Sequence, residues 1–333
     1  MSGPDIIING AGIFGLSIAW EAARRGAGVL VVDPNGIGAG ASGGIVGAMA
    51  PHVPENWNAK KAFQLESLLI AAEFWAGAQA AGGADPGYAR TGRLQPVADD
   101  AALDLARARA GSARDLWRGL AEWRLVPARR GWFPAAPTGW LIEDTLTARI
   151  HPRMALAALA AAIRAKGGAI VAHTDAVAPT IHATGVAGLR EMGIGTGIKG
   201  QALSLRHEAR DLPQIFVDGL HVVPHADGTV AIGSTTERDT DDLTTDAQCD
   251  ALHARAVAAL PVLAHAEVVE RWAGLRPRAK SRAPVLGAWK DGFVANGGFK
   301  IGFGMAPMVA KVMADLVLEG RDAIPDGFRV EDN

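Results

Sequence analysis

The chain has 333 residues, among them 41 Gly, 18 Pro and a single Cys, and 20% of it is charged. That length suits about two domains with substantial cores, and the composition excludes collagen, coiled coil and disorder. Lys+Arg 33 against Asp+Glu 35 gives a net charge of −2 with both signs scattered, so nucleic acid and anionic membranes are not expected partners, and a small molecule is. Cys249 alone can form neither an internal disulfide nor a cysteine-based zinc site, which suits a reducing compartment. The apolar run 6–8 leads into glycines rather than a cleavable leader, and 154–163 is too short to span a bilayer, so a soluble cytoplasmic protein is expected.

Residues 6–8 are a β-branched run, followed by Gly10-Ala11-Gly12-Ile13-Phe14-Gly15 and a helical pattern over 16–25 that stops at Gly26. A second strand over 29–32 ends at Asp33, completing a βαβ unit. The three glycines provide a tight turn, close approach of backbone N–H groups to a pyrophosphate, and close helix-to-strand packing, while Asp33 is placed to accept from a ribose hydroxyl. An acid there argues against a 2′-phosphate, which favours NAD or FAD over NADP. Six glycines between 35 and 51 leave the backbone free to lie against a flat ligand, an arrangement that nicotinamide domains rarely use there.

Helices are predicted over 59–81 and 101–123, a loop over 127–140, a helix over 152–166 with Pro at its start, and a strand over 169–172. Ile181-His182-Ala183-Thr184-Gly185 reads as a strand entering a glycine turn. Short apolar runs follow from 200 to 232, with 220–224 and 229–232 forming a hairpin. A helix over 246–260, a strand over 293–295, a glycine loop over 297–304 and a helix over 306–318 close the chain. The pattern is an α/β core interrupted by antiparallel sheet, without internal repeats, so the domains are expected to interleave.

The chain resembles the FAD-dependent D-amino-acid oxidase family over nearly its whole length, and among its branches most resembles the bacterial glycine oxidases. Gly10 to Gly15 with Asp33 is similar to the family's ADP-binding unit, and Ala41-Ser42-Gly43-Gly44-Ile45-Val46-Gly47-Ala48-Met49-Ala50-Pro51 to its flavin-contacting loop. Ala183-Thr184-Gly185 is similar to its third glycine turn, and Ile198-Lys199-Gly200-Gln201 to the strand entering its substrate domain. Arg271-Trp272-Ala273-Gly274-Leu275-Arg276-Pro277 and Gly297-Gly298-Phe299-Lys300-Ile301-Gly302-Phe303 resemble its substrate-arginine motif and its C-terminal flavin loop. The resemblance implies a Rossmann-like FAD-binding domain of residues 1–82, 140–197 and 272–333, interleaved with a smaller substrate domain of antiparallel sheet plus helices at 83–139 and 198–271. It implies non-covalent FAD held by Gly10, Gly12, Ile13, Phe14, Gly15, Asp33, Pro34, Ala41, Ser42, Val46, Gly47, Ala48, Met49, Ala176, Thr184, Gly185, Gly298, Phe299, Ile301, Gly302 and Phe303. The implied reaction oxidises glycine or another small primary, secondary or D-amino acid to the imine and 2-oxo acid, with oxygen or an electron carrier as acceptor and thiamine biosynthesis as one use. A homo-oligomer is left open.

A guanidinium binds a carboxylate through two parallel N–H···O bonds, which fixes a substrate in one plane, and Arg276 is the candidate for that role. Lys300 stands where the glycine oxidases carry an arginine; it either helps hold substrate and developing negative charge or is a solvated rim lysine. His221 occupies the position of a family tyrosine that helps hold the carboxylate, and Tyr88, the only tyrosine, lies in a different segment. An imidazolium at His221 assisting Arg276 would make carboxylate binding weaken as pH rises through about 6.5. His52 is read as structural. No histidine or cysteine lies between Asp33 and Pro51, Cys249 is remote from every flavin motif, and no metal is expected because His221 and His225 have no third ligand nearby. A dehydrogenase feeding a quinone or carrier, and an FAD-retaining protein without activity, are the alternatives.

Overall fold

Ile6, Ile7 and Ile8 are all buried, side chains of both faces alike, as a central strand of a sheet covered on both sides requires. The computed structural model describes residues 3–333 and places them at the centre of a six-stranded sheet. Its order is β15 (Val285–Trp289), β16 (Gly292–Asn296), β9 (Thr180–His182), β1 (Ile6–Asn9), β2 (Val29–Val32) and β8 (Ala169–Val171), parallel throughout except for β15. The main core fills the space between this sheet and the helices α1 (Ile13–Arg24), α2 (Ala59–Gly82), α4 (Pro152–Ala165) and α7 (Gly302–Glu319). Helix α3 (Asp100–Leu116), capped by the Asp99 side chain on Ala102 N, packs beside it.

An eight-stranded sheet runs β14 (Val268–Ala279), β10 (Gly195–Arg206), β13 (Thr229–Gly233), β12 (Leu220–Pro224), β11 (Gln214–Val217), β4 (Arg93–Pro96), β6 (Trp140–Asp144) and β5 (Trp123–Pro127). All its pairings are antiparallel except β11 with β4. A second core lies between this sheet and α6 (Ala247–Ala259), and Cys249 is buried within it. A two-residue ladder joins β3 (Ala48–Met49) to β7 (Ala148–Arg149). Together these elements form the mixed α/β architecture read from the sequence. We propose dividing the chain along its two large sheets. The boundary expected at 139/140 then moves past Asp144, because β6 pairs with β4 and β5, and the boundary at 272 moves past β14.

Three local expectations are corrected. The helix expected over 101–123 ends at Leu116, because Arg118 and Gly119 turn the chain through positive φ and Trp123 opens β5. Thr184-Gly185 opens a short helix, α5 (Gly185–Glu191). Helix α7 starts at Gly302, four residues before the expected start, so the last three residues of the expected glycine loop, 302–304, are helical.

Gly15 makes the closest contact in the first βαβ unit. A Cβ there would stand 1.9 Å from the Gly10 carbonyl oxygen, so α1 can sit this near β1 only without a side chain. Gly15→Ala is therefore expected to destabilise the protein by about 1–3 kcal/mol in urea unfolding, and an unchanged midpoint would contradict this packing.

Candidate active site

A connected cavity of about 1290 Å³ runs between the two sheets, larger than the roughly 300–1,000 Å³ typical of a site for one drug-sized ligand. One end is built by the β1–α1 turn and Asp33. Gly10 has φ +113 and passes so close to β9 that a Cβ would meet the Ala183 oxygen at 2.3 Å. Helix α1 has no side-chain cap, and Ile13 N donates to Ser42 Oγ at 3.0 Å, tying the flavin-loop candidate to the helix start. The Asp33 carboxylate accepts from Ala11 N at 2.8 Å and Asn35 N at 3.0 Å, and each oxygen keeps further acceptor capacity. The N-terminus of α7 also reaches the cavity without a side-chain cap. Two helix starts whose N-cap residues supply no side-chain cap, glycines where a Cβ would intrude and an acid at the end of β2 are what a dinucleotide with a central pyrophosphate needs.

At the other end, β14 presents Trp272 and Arg276 and β12 presents His221. The β10–β14 register explains the spacing of the two glycine motifs. Gly200, next to the Ile198↔Arg276 pair, leaves the room that the guanidinium fills: a Cβ would stand 2.7 Å from its Cζ. Gly274 and Gly44 leave the room taken by the Trp272 indole. Arg276 donates from Nη1 to Ser234 Oγ at 2.7 Å and from Nη2 to the carbonyls of Thr235 at 2.8 Å and Lys199 at 3.1 Å, while its Nε is buried without a partner among the described residues. Burial lowers its pKa to about 10, partly offset by Glu237. Behind it, buried Lys199 pairs with Asp242 at 3.1 Å and Glu237 at 3.5 Å, and Gln201 binds Glu237 and Asp246. Phe299, at φ +42, packs under the Arg276 guanidinium, a non-glycine residue held in the left-handed region at the site.

The site residues expected from sequence mostly meet here. Gly10, Gly12, Ile13, Phe14, Asp33, Pro34, Ala41, Ser42, Val46, Ala48, Thr184, Gly185, Gly298, Phe299, Ile301, Gly302 and Phe303 line the cavity, as do Arg276, Lys300 and His221. Four do not. Gly15 packs helix on strand, Gly47 packs against the Ile150 carbonyl, Met49 is fully buried, and Ala176 lies in an exposed turn, its N–H donating to Thr174 Oγ1. His52, read as structural, lines the cavity. Its backbone N–H and its Nδ1 both meet Gln64 Oε1, at 2.8 and 2.5 Å, so Nδ1 is the donor to that oxygen. Burial lowers its pKa. Arg93, Phe216, Ser234 and Trp272 were not among the expected site residues; only Trp272 sat in a recognised motif.

The expectation of a titrating imidazolium at His221 is overturned. Burial, then the charges of Arg93 and Lys300, push its pKa down to about 3, so the ring is neutral at pH 7. His225, 1% exposed, meets the Ile45 carbonyl through Nε2 at 2.9 Å and is pushed down to about 4 by burial and by His151. Tyr88 is not in the cavity, and its hydroxyl is buried without a partner among the described residues. Among the described residues no cluster of three or more His, Cys, Asp or Glu is arranged to hold a metal, and no helix is long and apolar enough to cross a membrane.

The fold and cavity define a dinucleotide-binding oxidoreductase scaffold with an anion-holding wall. Residues 5–316 match the profile of the DAO family of FAD-dependent oxidoreductases, and the chain belongs to that family. It is 37% identical to the glycine oxidase of Pseudomonas aeruginosa over 134 residues, 39% of this chain and 36% of that one. It is 24% identical to the glycine oxidase of Geobacillus kaustophilus over 94% of this chain and 92% of the other, and 28% identical to a putative thiamine biosynthesis oxidoreductase, ThiO, of Rhizobium etli over 94% and 96%. The Geobacillus kaustophilus glycine oxidase structure superposes with TM-score 0.83 at 21% identity, covering 99% of each chain. Iminodiacetate oxidase from Chelativorans sp. superposes with TM-score 0.85 at 19% identity, covering 97% of this chain and 98% of that one. FAD is the cofactor and the protein is an FAD-dependent amine or amino-acid oxidoreductase.

Two outcomes follow from this geometry. A Cβ at Gly12 would stand 3.2 Å from Ser42 Oγ and project between the helix start and the loop, so Gly12→Val is expected to abolish FAD retention, checked by the flavin released on denaturation. For His221 and His225 the unfolded chain takes up protons first as pH falls below 6.5. Stability is therefore full above about pH 6.5 and drops as pH falls toward 4 and 3, by on the order of 3 kcal/mol per histidine at pH 4. His225→Phe should flatten the fall measured by denaturation at pH 7 and pH 4, and an equally steep fall in the variant would contradict it.

Proposed function

We propose that the protein oxidises a small primary or secondary amino acid, of the glycine or D-amino-acid kind, to the imine, which water hydrolyses to the 2-oxo acid, with oxygen as acceptor. The observation that carries this reading is Arg276: a largely desolvated cation at the cavity wall with only neutral acceptors and a free Nε. A buried charge without a counter-charge is costly, and a substrate carboxylate supplies one. FAD, when bound, supplies the acceptor for the Cα hydride. Arg276 holds the carboxylate, and Ser234 Oγ with the carbonyls of Lys199 and Thr235 fix the guanidinium plane. Trp272, seated over Gly274 and Gly44, closes the wall beside it and excludes water. His221, neutral, can donate one ring N–H to the same region, so the partner in the tyrosine position holds substrate as a hydrogen-bond donor rather than as a cation.

We read the FAD as non-covalently held: Cys249 is buried in the second core, away from the cavity. A use in thiamine biosynthesis belongs to the proposal and is supported by the name of the Rhizobium relative. Arg276→Lys replaces a fork by a point charge and should retain FAD while lowering kcat/KM on the order of 10- to 100-fold. Anaerobic bleaching of the bound flavin across amino acids and simple amines tests the reading; bleaching by amines without a carboxylate as fast as by amino acids would remove Arg276 from its role.

A further inference from the structure

A second group of polar side chains lines the same cavity, and carboxylate holding by Arg276 leaves it without a partner. Arg93 on β4 is 5% exposed and uses its Nε on Asp144 Oδ2 at 2.8 Å; among the described residues its Nη1 and Nη2 have no partner. Its guanidinium stands 5.7 Å from the Phe216 ring, which packs 4.6 Å from the ring of His221. Neither ring nitrogen of His221 has a hydrogen-bond partner among the described residues, and Nδ1 is buried. Lys300 Nζ reaches Thr236 Oγ1 at 3.1 Å and stands 5.7 Å from the Phe299 ring, with the Arg276 guanidinium 5.9 Å from that ring.

The charge balance of the cavity is one-sided. Arg93, Arg276 and Lys300 line it, whereas Asp33, at the dinucleotide end, is the only acidic lining residue among those described. Asp144 neutralises Arg93 in part through Nε, and the outer edge of that guanidinium, Nη1 and Nη2, is the pair that grips a carboxylate bidentately. One α-carboxylate offers about four acceptor sites on its two oxygens, too few for two forked guanidiniums, a ring N–H and an ammonium at once. We infer that the substrate carries a second carboxylate, an amino or imino dicarboxylic acid whose α-carboxylate lies on Arg276 and whose distal acid is received by Arg93 and His221, with Lys300 adding charge at the rim. This rests on the amino-acid oxidation proposed above and narrows its substrate class. Burial first, and then the charges of Arg93 and Lys300, keep His221 neutral there, and an arriving carboxylate is the ligand those two cations favour.

The test uses the FAD-loaded protein and two measurements. First, perturbation of the flavin absorbance reports binding of amine-free acids: malonate, succinate and glutarate against acetate, propionate and butyrate. At least one diacid is expected to bind on the order of 10-fold or more tighter than the monoacid of similar length. Arg93→Lys, which keeps a cation beside Asp144, should shrink that ratio, and Lys300→Met should shrink it less. Equal affinity for diacids and monoacids in the unmodified protein overturns the inference without any variant. Second, anaerobic flavin reduction is followed with glycine, sarcosine and D-alanine against D-aspartate, D-glutamate and iminodiacetate. Faster reduction per unit concentration by a diacid supports the inference. Reduction confined to the monocarboxylates overturns it and leaves amino-acid oxidation standing, whereas no reduction by either class overturns both.

Discussion

The Arg276 guanidinium is held by one hydroxyl and two carbonyls, with Glu237 acting on it only at a distance. Removing such a cation from water costs several kcal/mol, and neutral acceptors return only part of it. The surroundings must therefore be rigid. They are built from the twelve-residue strands β10 and β14, whose register sets Gly200 beside the guanidinium and whose carbonyl at Lys199 accepts from it. Lys199, Gln201, Glu237, Asp242 and Asp246 form the network that fixes the segment carrying Ser234 and Thr235. A rigid, positively charged wall with unused donors selects an anion and fixes its plane, which is the condition for aligning one C–H bond with an acceptor.

The same ladder couples the two sheets. β14 ends at Ala279, and Phe299 N, in the loop before α7, donates to the Pro277 carbonyl at 3.0 Å. The wall carrying Arg276 is thereby tied to the start of α7. On the other side, His225 reaches from the end of the β12–β13 hairpin to the Ile45 carbonyl of the glycine loop. Each sheet grips a segment that borders the cofactor region, so the cavity between them is defined by hydrogen bonds from both sides rather than by loops alone.

Polar groups are distributed unevenly along this cavity. Backbone donors and glycines dominate the end near β1, where a flat, phosphate-bearing group needs close approach; charged and aromatic side chains dominate the end near β12 and β14. Arg276 and Lys300, with Arg93 paired through Nε to Asp144, give the second end its positive charge. Local burial lowers the pKa of both His52 and His221, and at His221 to about 3, so that ring acts as a fixed donor and acceptor and does not change charge between pH 5 and 8.

Local sequence determined the βαβ unit with its three glycines and Asp33, the helices of α2, α4 and α6 and the β12–β13 hairpin, because each depends on periodicity, glycine placement or turn chemistry within some thirty residues, whereas the motif of residues 271–277 was legible only through its family resemblance. Gly15, Gly47 and Met49 were legible as motif members, but only the fold shows that they pack the frame instead of touching the cavity. Arg93 carried no local signal: its neighbours Asp144, Phe216 and His221 are 51, 123 and 128 residues away in the sequence, brought together by the order of strands in the eight-stranded sheet. The charge state of His221 was equally out of reach, since side-chain identity gives an ordinary imidazole and only burial beside two cations makes it neutral. Spacing along the chain fixes what a segment can form; which polar groups lose water, and in whose company, is decided by the tertiary structure.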